Sequence, residues 1–167
     1  MANAIVEKRM TASDNVDAYL KTVKLSADAP NGKAVTLGAK VGDDIHNGVL
    51  AQSGVVFKIT DNNTEIIYAG KNFLTRNPKA WEITVATVTG EVYLTTEPTV
   101  NKAVVGKTYG GNDVKNFVNL AGDPITVSKL VVGDVYRVTS DFFTATPTDA
   151  NNTVTLTAGE WVVSTAS

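Results

Sequence analysis

Reactive residue types are scarce in this chain, which has no cysteine and one histidine, His46. Without thiols it can form neither disulfide bonds nor thiolate metal sites, so its stability must come from packing. No apolar run approaches the ~18 residues that a membrane-spanning helix needs. The first nine residues also lack the apolar core of a signal peptide. We therefore expect a soluble protein made in the cytoplasm, with no cofactor and no membrane partner.

A concentration of one charge is also absent. The formal net charge is −2, and Lys and Arg are spread singly along the chain. Proteins that bind nucleic acid usually carry a basic stripe or patch that neutralises phosphates. The sequence therefore argues against nucleic acid as a partner.

The residues that are abundant favour β-structure. Val and Thr make up about a quarter of the 167 residues, and β-branched side chains suit a pleated, half-buried surface. In the stretch 130–139, a Gly133-Asp134 turn signal follows one β-branched run, after which Tyr136 and Val138 alternate with polar residues. This period of two is typical of a half-buried strand, and similar patterns recur through most of the chain.

The same criteria divide the chain into strands and turns. Single strands are predicted at 18–25, 34–37, 125–129, 130–132 and 135–140, the first ending before an Asn31-Gly32 turn. Hairpins are predicted at 55–60 with 64–68, at 81–88 with 91–95, and at 153–157 with 160–164. Turn residues occupy the centre of each, and Ala158-Gly159 is the centre of the last.

One segment has the pattern of a helix. Asn112 can cap its start, apolar residues recur at 114, 117, 118 and 121, and Gly122 can end it. The predicted fold is therefore all-β, a β-sandwich or small barrel of short antiparallel strands, with one short helix near 112–121 covering a sheet face. Residues 17–167 are assigned to a single β-rich domain.

Residues 1–16 are interpreted as an N-terminal arm. Ile5, Val6 and Met10 are its apolar residues, too few to nucleate a core of their own. They are the candidate contact residues of the arm, which we expect to be mobile until a partner orders it.

Three fragments resemble chemical sites but depart from the required patterns. Gly106-Lys107-Thr108 resembles the end of a phosphate-binding loop, yet Asn101 stands where the first glycine is needed. The group 61, 63 and 65 has the spacing of calcium ligands, but Ile66 occupies the position that requires glycine. Asp43, Asp44 and His46 are predicted to lie in a solvated, glycine-bounded loop without further ligands.

Two tryptophans permit a binding function. Trp81 and Trp161 could stack on sugar rings, although indoles beside β-branched runs more often pack in cores or across strands. No nucleophile with an adjacent base is recognisable, so the sequence argues against an enzyme.

Four segments together resemble the head decoration proteins of tailed bacteriophages, also called capsid cement or auxiliary proteins. These segments are Asn31-Gly32 leading into 35–38, the strand 92–98, the phrase Phe117-Val-Asn-Leu-Ala-Gly122, and the strand pair 130–138. With a closing strand around Gly159 and Val162, they cover most of residues 30 to 163.

The resemblance implies a virion structural protein on the outer surface of the phage head, with the major capsid protein as its partner. It implies stabilisation of the assembled lattice, by a protein that is itself a trimer or a monomer on that lattice. The alternative from the residues alone is a carbohydrate- or host-surface-binding β module.

Overall fold

The computed structural model describes residues 4, 6–10, 20–43, 45–65, 79–95 and 119–165. Within these ranges the chain forms eleven β-strands and one turn of 3-10 helix at Ser140–Phe142. The strands are β1 (Val6–Met10), β2 (Leu20–Leu25), β3 (Ala34–Gly42), β4 (Ile45–Leu50), β5 (Val55–Glu65), β6 (Lys79–Val88), β7 (Tyr93–Thr95), β8 (Pro124–Lys129), β9 (Val135–Val138), β10 (Thr153–Thr157) and β11 (Glu160–Ser164). The prediction of an all-β fold is confirmed.

The strands form two assemblies. One is a six-stranded sheet in the order β1-β9-β6-β5-β10-β11, and the pairs between its neighbours are antiparallel. The other is a closed five-stranded barrel in the order β2-β4-β3-β7-β8, in which β2 and β4 are parallel. Because β7 and β8 lie between β6 and β9 in sequence, the chain leaves the sheet for the barrel and returns to it.

A pair of barrel strands forms a wall that the two assemblies share. On β3, Ala34 belongs to the core of the six-stranded sheet, whereas the next residue, Val35, belongs to the barrel core. On β7, Leu94 and Tyr93 divide in the same way, and the two strands pair Ala34 with Leu94 and Val35 with Tyr93. The period-two alternation of a strand thus supplies side chains to two cores at once.

Aromatic rings dominate the core of the six-stranded sheet. Phe57 is fully buried and meets the rings of Tyr136, Phe142 and Trp161 edge-on, with centroids 5.0 to 6.2 Å apart. Phe142, on the 3-10 turn, stacks on Trp161 at 5.1 Å. Edge-to-face and stacked pairs add to the free energy gained by burying these large side chains.

A loop of the barrel is fastened to this core. Trp161 Nε1 donates a 2.6 Å hydrogen bond to the carbonyl oxygen of Gly32, and the Gly32 N–H donates to Thr95 O at 2.8 Å. Gly32 has φ +94°, and a Cβ there would lie 2.9 Å from the Phe142 ring. The Asn31-Gly32 turn predicted from the sequence is therefore present, and only glycine suits it.

The barrel core is smaller and mainly aliphatic. Its buried members are Val23, Leu25, Ala29, Val35, Tyr93, Ile125 and Val127, with Leu37 packed against them. Gly48 on β4 faces three of them, and a Cβ at this position would lie 3.0 to 3.2 Å from Val23, Leu25 and Val35. The missing side chain therefore allows the strands to approach closely enough to close the barrel.

The C-terminal hairpin is confirmed residue by residue, because Thr153 pairs with Ser164 and Thr157 pairs with Glu160. The prediction of a hairpin within 55–68 is wrong. Residues 55–65 form one long strand, β5, which pairs along its length with β6 and absorbs the polar residues at 61–63 through register shifts. Bulges of this kind let a strand carry extra residues without reversing its direction.

Two other local predictions are also wrong. The segments 81–88 and 91–95 do not form a hairpin, because β6 belongs to the sheet and β7 to the barrel. Residues 130–132 form no strand, and they lie in the connection between β8 in the barrel and β9 in the sheet.

The predicted helix lies mostly outside the described residues. Only its C-terminal end, residues 119–121, is described. Asn119 forms an antiparallel bridge with Ala29, and Ala121 lies in a turn with Gly122. The expectation of helix at 119–121 is therefore wrong. Gly122 does have the predicted left-handed backbone, with φ +82°.

Candidate functional site

The N-terminal candidate residues are part of the fold. Val6–Met10 forms β1, which pairs with β9 through contacts such as Val6 with Val138. Ala4 and Val6 are buried in the core of the six-stranded sheet. The prediction of a mobile arm is therefore wrong for β1, whose backbone is held by strand pairing. Ile5 lies outside the described residues, and Met10 is the last residue of β1.

The predicted polar loop around His46 is a hairpin. Asp43 lies in the turn between β3 and β4, and His46 lies on β4, where its Nδ1 donates to Gly38 O at 3.3 Å. Asp44 falls outside the described residues. Within the part of the chain that the structure describes, no three His, Asp or Glu side chains are grouped to hold a metal ion.

The calcium-loop-like group at 61, 63 and 65 does not form a cation site in the described part of the chain. Asp61, Asn63 and Glu65 lie along β5, an extended backbone that cannot wrap a cation as a calcium loop does. The Asp61 carboxylate instead accepts the N–H of Asn63 at 2.8 Å. The phosphate-loop-like fragment 106–108 lies outside the described residues.

Neither tryptophan offers a stacking face. Trp81 is 4% exposed and Trp161 is 1% exposed, and each packs against phenylalanine rings. The sequence interpretation of both as packing residues is confirmed, and sugar stacking on these indoles is sterically excluded. Burial also raises the pKa of the Tyr136 phenol above its ordinary value of about 10.

The described surface does contain a groove where the barrel meets the C-terminal hairpin. It has a volume of about 370 Å³, within the size range of small-ligand and peptide side-chain pockets. Its lining comes from the β2–β3 loop, from the end of β4 and the segment after it, and from the β10–β11 turn with the first residue of β11: Asp28, Ala29, Pro30, Lys33, Leu50, Gln52, Ala158, Gly159 and Glu160. Most of this lining is apolar, and Leu50 remains 37% exposed.

Three charged side chains converge on the groove. Lys33 Nζ lies 3.0 Å from Glu160 Oε2, an ion pair that links the β2–β3 loop to the β10–β11 turn. Asp28 is exposed and accepts the Ala121 N–H at 2.8 Å through Oδ1. The lining therefore has two carboxylates against one ammonium, and its formal charge is −1.

Ala158 contributes a strained backbone to this groove. With φ +51°, it is the one non-glycine residue in the described ranges that has a positive φ. Asn or Gly is the usual residue at such a position of a two-residue hairpin turn. An alanine here costs about 1–2 kcal/mol relative to a relaxed backbone and places a methyl group at the groove.

Sequence reasoning identified the Ala158-Gly159 turn but missed the groove, which brings together segments more than 100 residues apart. The exposed apolar residues of the β3–β4 hairpin also gave no sequence signal. Val49 is 53% exposed next to Leu50 on β4, and Val41 is 51% exposed on β3. Together these residues give the hairpin β3–β4 a partly apolar outer surface.

No helix in the described ranges is long and apolar enough to cross a membrane. Comparison with protein-family models, with curated proteins and with solved structures found no match to this chain.

Proposed function

We propose that this protein is a virion structural protein that binds the outside of an assembled phage head and stabilises its capsid lattice. The main support is the distribution of apolar and charged side chains in the structure. The described tryptophans and most of the described apolar residues fill two cores, whereas the charged residues singled out from the sequence lie apart on strands and turns. Such an arrangement suits a rigid binding surface and offers no catalytic constellation among the described residues.

The resemblance of four segments to head decoration proteins supports the same function. In this proposal the partner is the major capsid protein, and the protein acts without catalysis. A protein that binds the assembled lattice but not its free subunits shifts the equilibrium toward the lattice by mass action. Self-association into a trimer would add avidity, since neighbouring lattice sites would be bound by one oligomer.

The structure offers exposed apolar residues for such binding. Val41, Val49 and Leu50 lie on the β3–β4 hairpin, held by pairing of β4 with both β2 and β3. A rigid strand loses little conformational entropy on docking, so more of the contact free energy remains as affinity. The buried indoles, by contrast, remove the observation that favoured a carbohydrate-binding module.

Co-sedimentation tests the proposal. Purified full-length protein is mixed with phage heads that lack it, and with dissociated capsid subunits as the control. We expect the protein to pellet with heads, to saturate at a fixed ratio to the major capsid protein, and to raise the temperature at which heads disrupt. A protein that remains in the supernatant with heads, at concentrations where it is folded, would contradict the proposal.

A further inference from the structure

We propose that the groove between the barrel and the C-terminal hairpin binds an extended segment of a partner protein through a basic side chain flanked by small apolar residues. This inference rests on the proposed function in one respect, since it takes the partner to be a protein of the head.

Charge identifies the class of side chain. Lys33 is already neutralised by Glu160, at 3.0 Å, so the Asp28 carboxylate sets the sign of the lining. Only one of its oxygens, Oδ1, is the acceptor for the Ala121 N–H. An arginine or lysine side chain complements this charge, whereas an acidic segment would be repelled.

Shape identifies the flanking residues. Pro30, Leu50 and Ala158 present apolar surface beside these charges. A long basic side chain can lay its methylene stem along such surface while its charged end reaches the carboxylate. The volume of about 370 Å³ accommodates that side chain and a small neighbour, but not a folded domain.

The backbone of Ala158 supports the assignment independently. The hairpin itself would be better served by Asn at this position, because Asn tolerates a positive φ more readily than Ala does. The methyl group of Ala158 thus strains the turn, but it keeps this part of the groove apolar. Residues that line binding sites often lower local stability, because they are suited to the ligand and not to the fold.

The probe is the peptide acetyl-Gly-Val-Arg-Val-Gly-amide, with the corresponding Glu peptide as its control. Both are titrated into the full-length protein while backbone amide signals are followed by NMR. We expect saturable shifts at Gly159, Gln52 and Ala29 with the Arg peptide, and none with the Glu peptide. Equal responses to the two peptides, no saturable response, or shifts confined to other regions would overturn the proposal.

Variants then test the two residues on which the proposal depends, Asp28 and Ala158. Asp28→Asn removes the charge but keeps an oxygen for the Ala121 N–H, and should weaken Arg-peptide binding about two- to fivefold, as expected for a partly exposed ion pair. Asp43→Asn makes the same charge change on the exposed β3–β4 turn and should leave binding unchanged. Equal effects of the two variants would overturn the role of Asp28.

Ala158→Asn separates a binding role from a structural one. It should raise the melting temperature, since Asn suits the turn, yet weaken Arg-peptide binding about fourfold through loss of an apolar contact. Unchanged binding with raised stability would overturn the role of Ala158.

The same variants distinguish failure of this inference from failure of the proposed function. If the wild-type protein pellets with heads and Asp28→Asn pellets equally tightly, the groove is not the contact and the proposed function stands. If the wild-type protein binds the Arg peptide but not heads, the groove is a peptide site and the proposed function fails.

Discussion

The barrel and the six-stranded sheet solve the same packing problem with different residues. The sheet fills its core with large rings, centred on Phe57 and Trp161, which interlock at 5.0 Å. The barrel has no room for such rings around Gly48, where even a methyl group would meet three aliphatic side chains. The sheet core therefore depends on the volume of its aromatic side chains, whereas the barrel core depends on the absence of a side chain at Gly48.

This difference predicts opposite sensitivities. In the sheet, the most damaging substitutions should be those that remove atoms and leave a cavity. In the barrel, they should include those that add atoms. The shared wall of β3 and β7 couples the two responses, since Ala34 and Val35 contact different cores.

The largest effect is expected for Trp161→Ala. This side chain is 1% exposed, stacks on Phe142 and holds Gly32 through its indole N–H. Its removal should lower the free energy of unfolding by about 3–5 kcal/mol, measured by urea denaturation. A loss below about 1 kcal/mol would contradict the aromatic core described above.

Trp161→Phe provides the matched control. It retains most of the ring but leaves the buried Gly32 carbonyl without its indole donor, a cost of about 1–3 kcal/mol. If Phe and Ala destabilise equally, the hydrogen bond and not the ring volume holds the barrel loop to the sheet.

The next effect concerns the barrel. Gly48→Ala should cost about 1–3 kcal/mol, the usual range for overpacking, because the new Cβ would lie 3.0 Å from Leu25. Gly42→Ala, at the end of β3, is its control, since a Cβ there would lie 3.8 Å from Ile45, an ordinary van der Waals distance. Hydrogen exchange should show faster opening of β2 and β8 in the Gly48 variant. Equal stability of the two variants would show that the barrel can expand at no cost.

A smaller effect is expected at the edge of the sheet. Val6→Ala removes two methyl equivalents from a side chain that is 5% exposed and should lower the free energy of unfolding by about 1–2 kcal/mol. Val162→Ala, on the opposite edge strand and 37% exposed, should cost less. If Val6→Ala leaves the urea midpoint unchanged, β1 adds nothing to stability and the mobile-arm expectation would be restored.

The sequence predicted those parts of the fold in which local signals and tertiary structure agree. The hairpin of β10 and β11 was predictable because its alternation and its turn lie in one short stretch, which pairs with itself. The all-β class followed from β-branched content in the same way. Turn position was also predictable where glycine takes a positive φ, as at Gly32 and Gly122.

The sequence did not predict contacts between segments that lie far apart in the chain. The sequence predicts a turn between 81–88 and 91–95, and Gly90 there does have a positive φ of +76°. No local feature, however, indicates that β7 joins the barrel instead of pairing with β6. The sequence predicts a glycine-bounded loop around His46, whereas Gly48 lies on β4 and allows close strand approach inside the barrel. The groove combines 28–33 with 158–160, and only the folded chain brings these segments together.

The smallest effect is expected for the simultaneous change of Asp43, Asp44 and His46 to Ala. Asp43 is exposed in the β3–β4 turn, and the His46 ring makes one exposed 3.3 Å hydrogen bond to Gly38 O. Exposed substitutions of this kind usually cost less than about 1 kcal/mol, so the urea midpoint should move little. Binding to heads should also persist, because the proposed contacts are the groove with Asp28 and the exposed side chains of Val41, Val49 and Leu50, and the triple variant changes none of them. If the triple variant unfolds as readily as Gly48→Ala, the β3–β4 hairpin and not the barrel interior limits stability. If it folds normally but no longer pellets with heads, the hairpin tip is part of the contact surface.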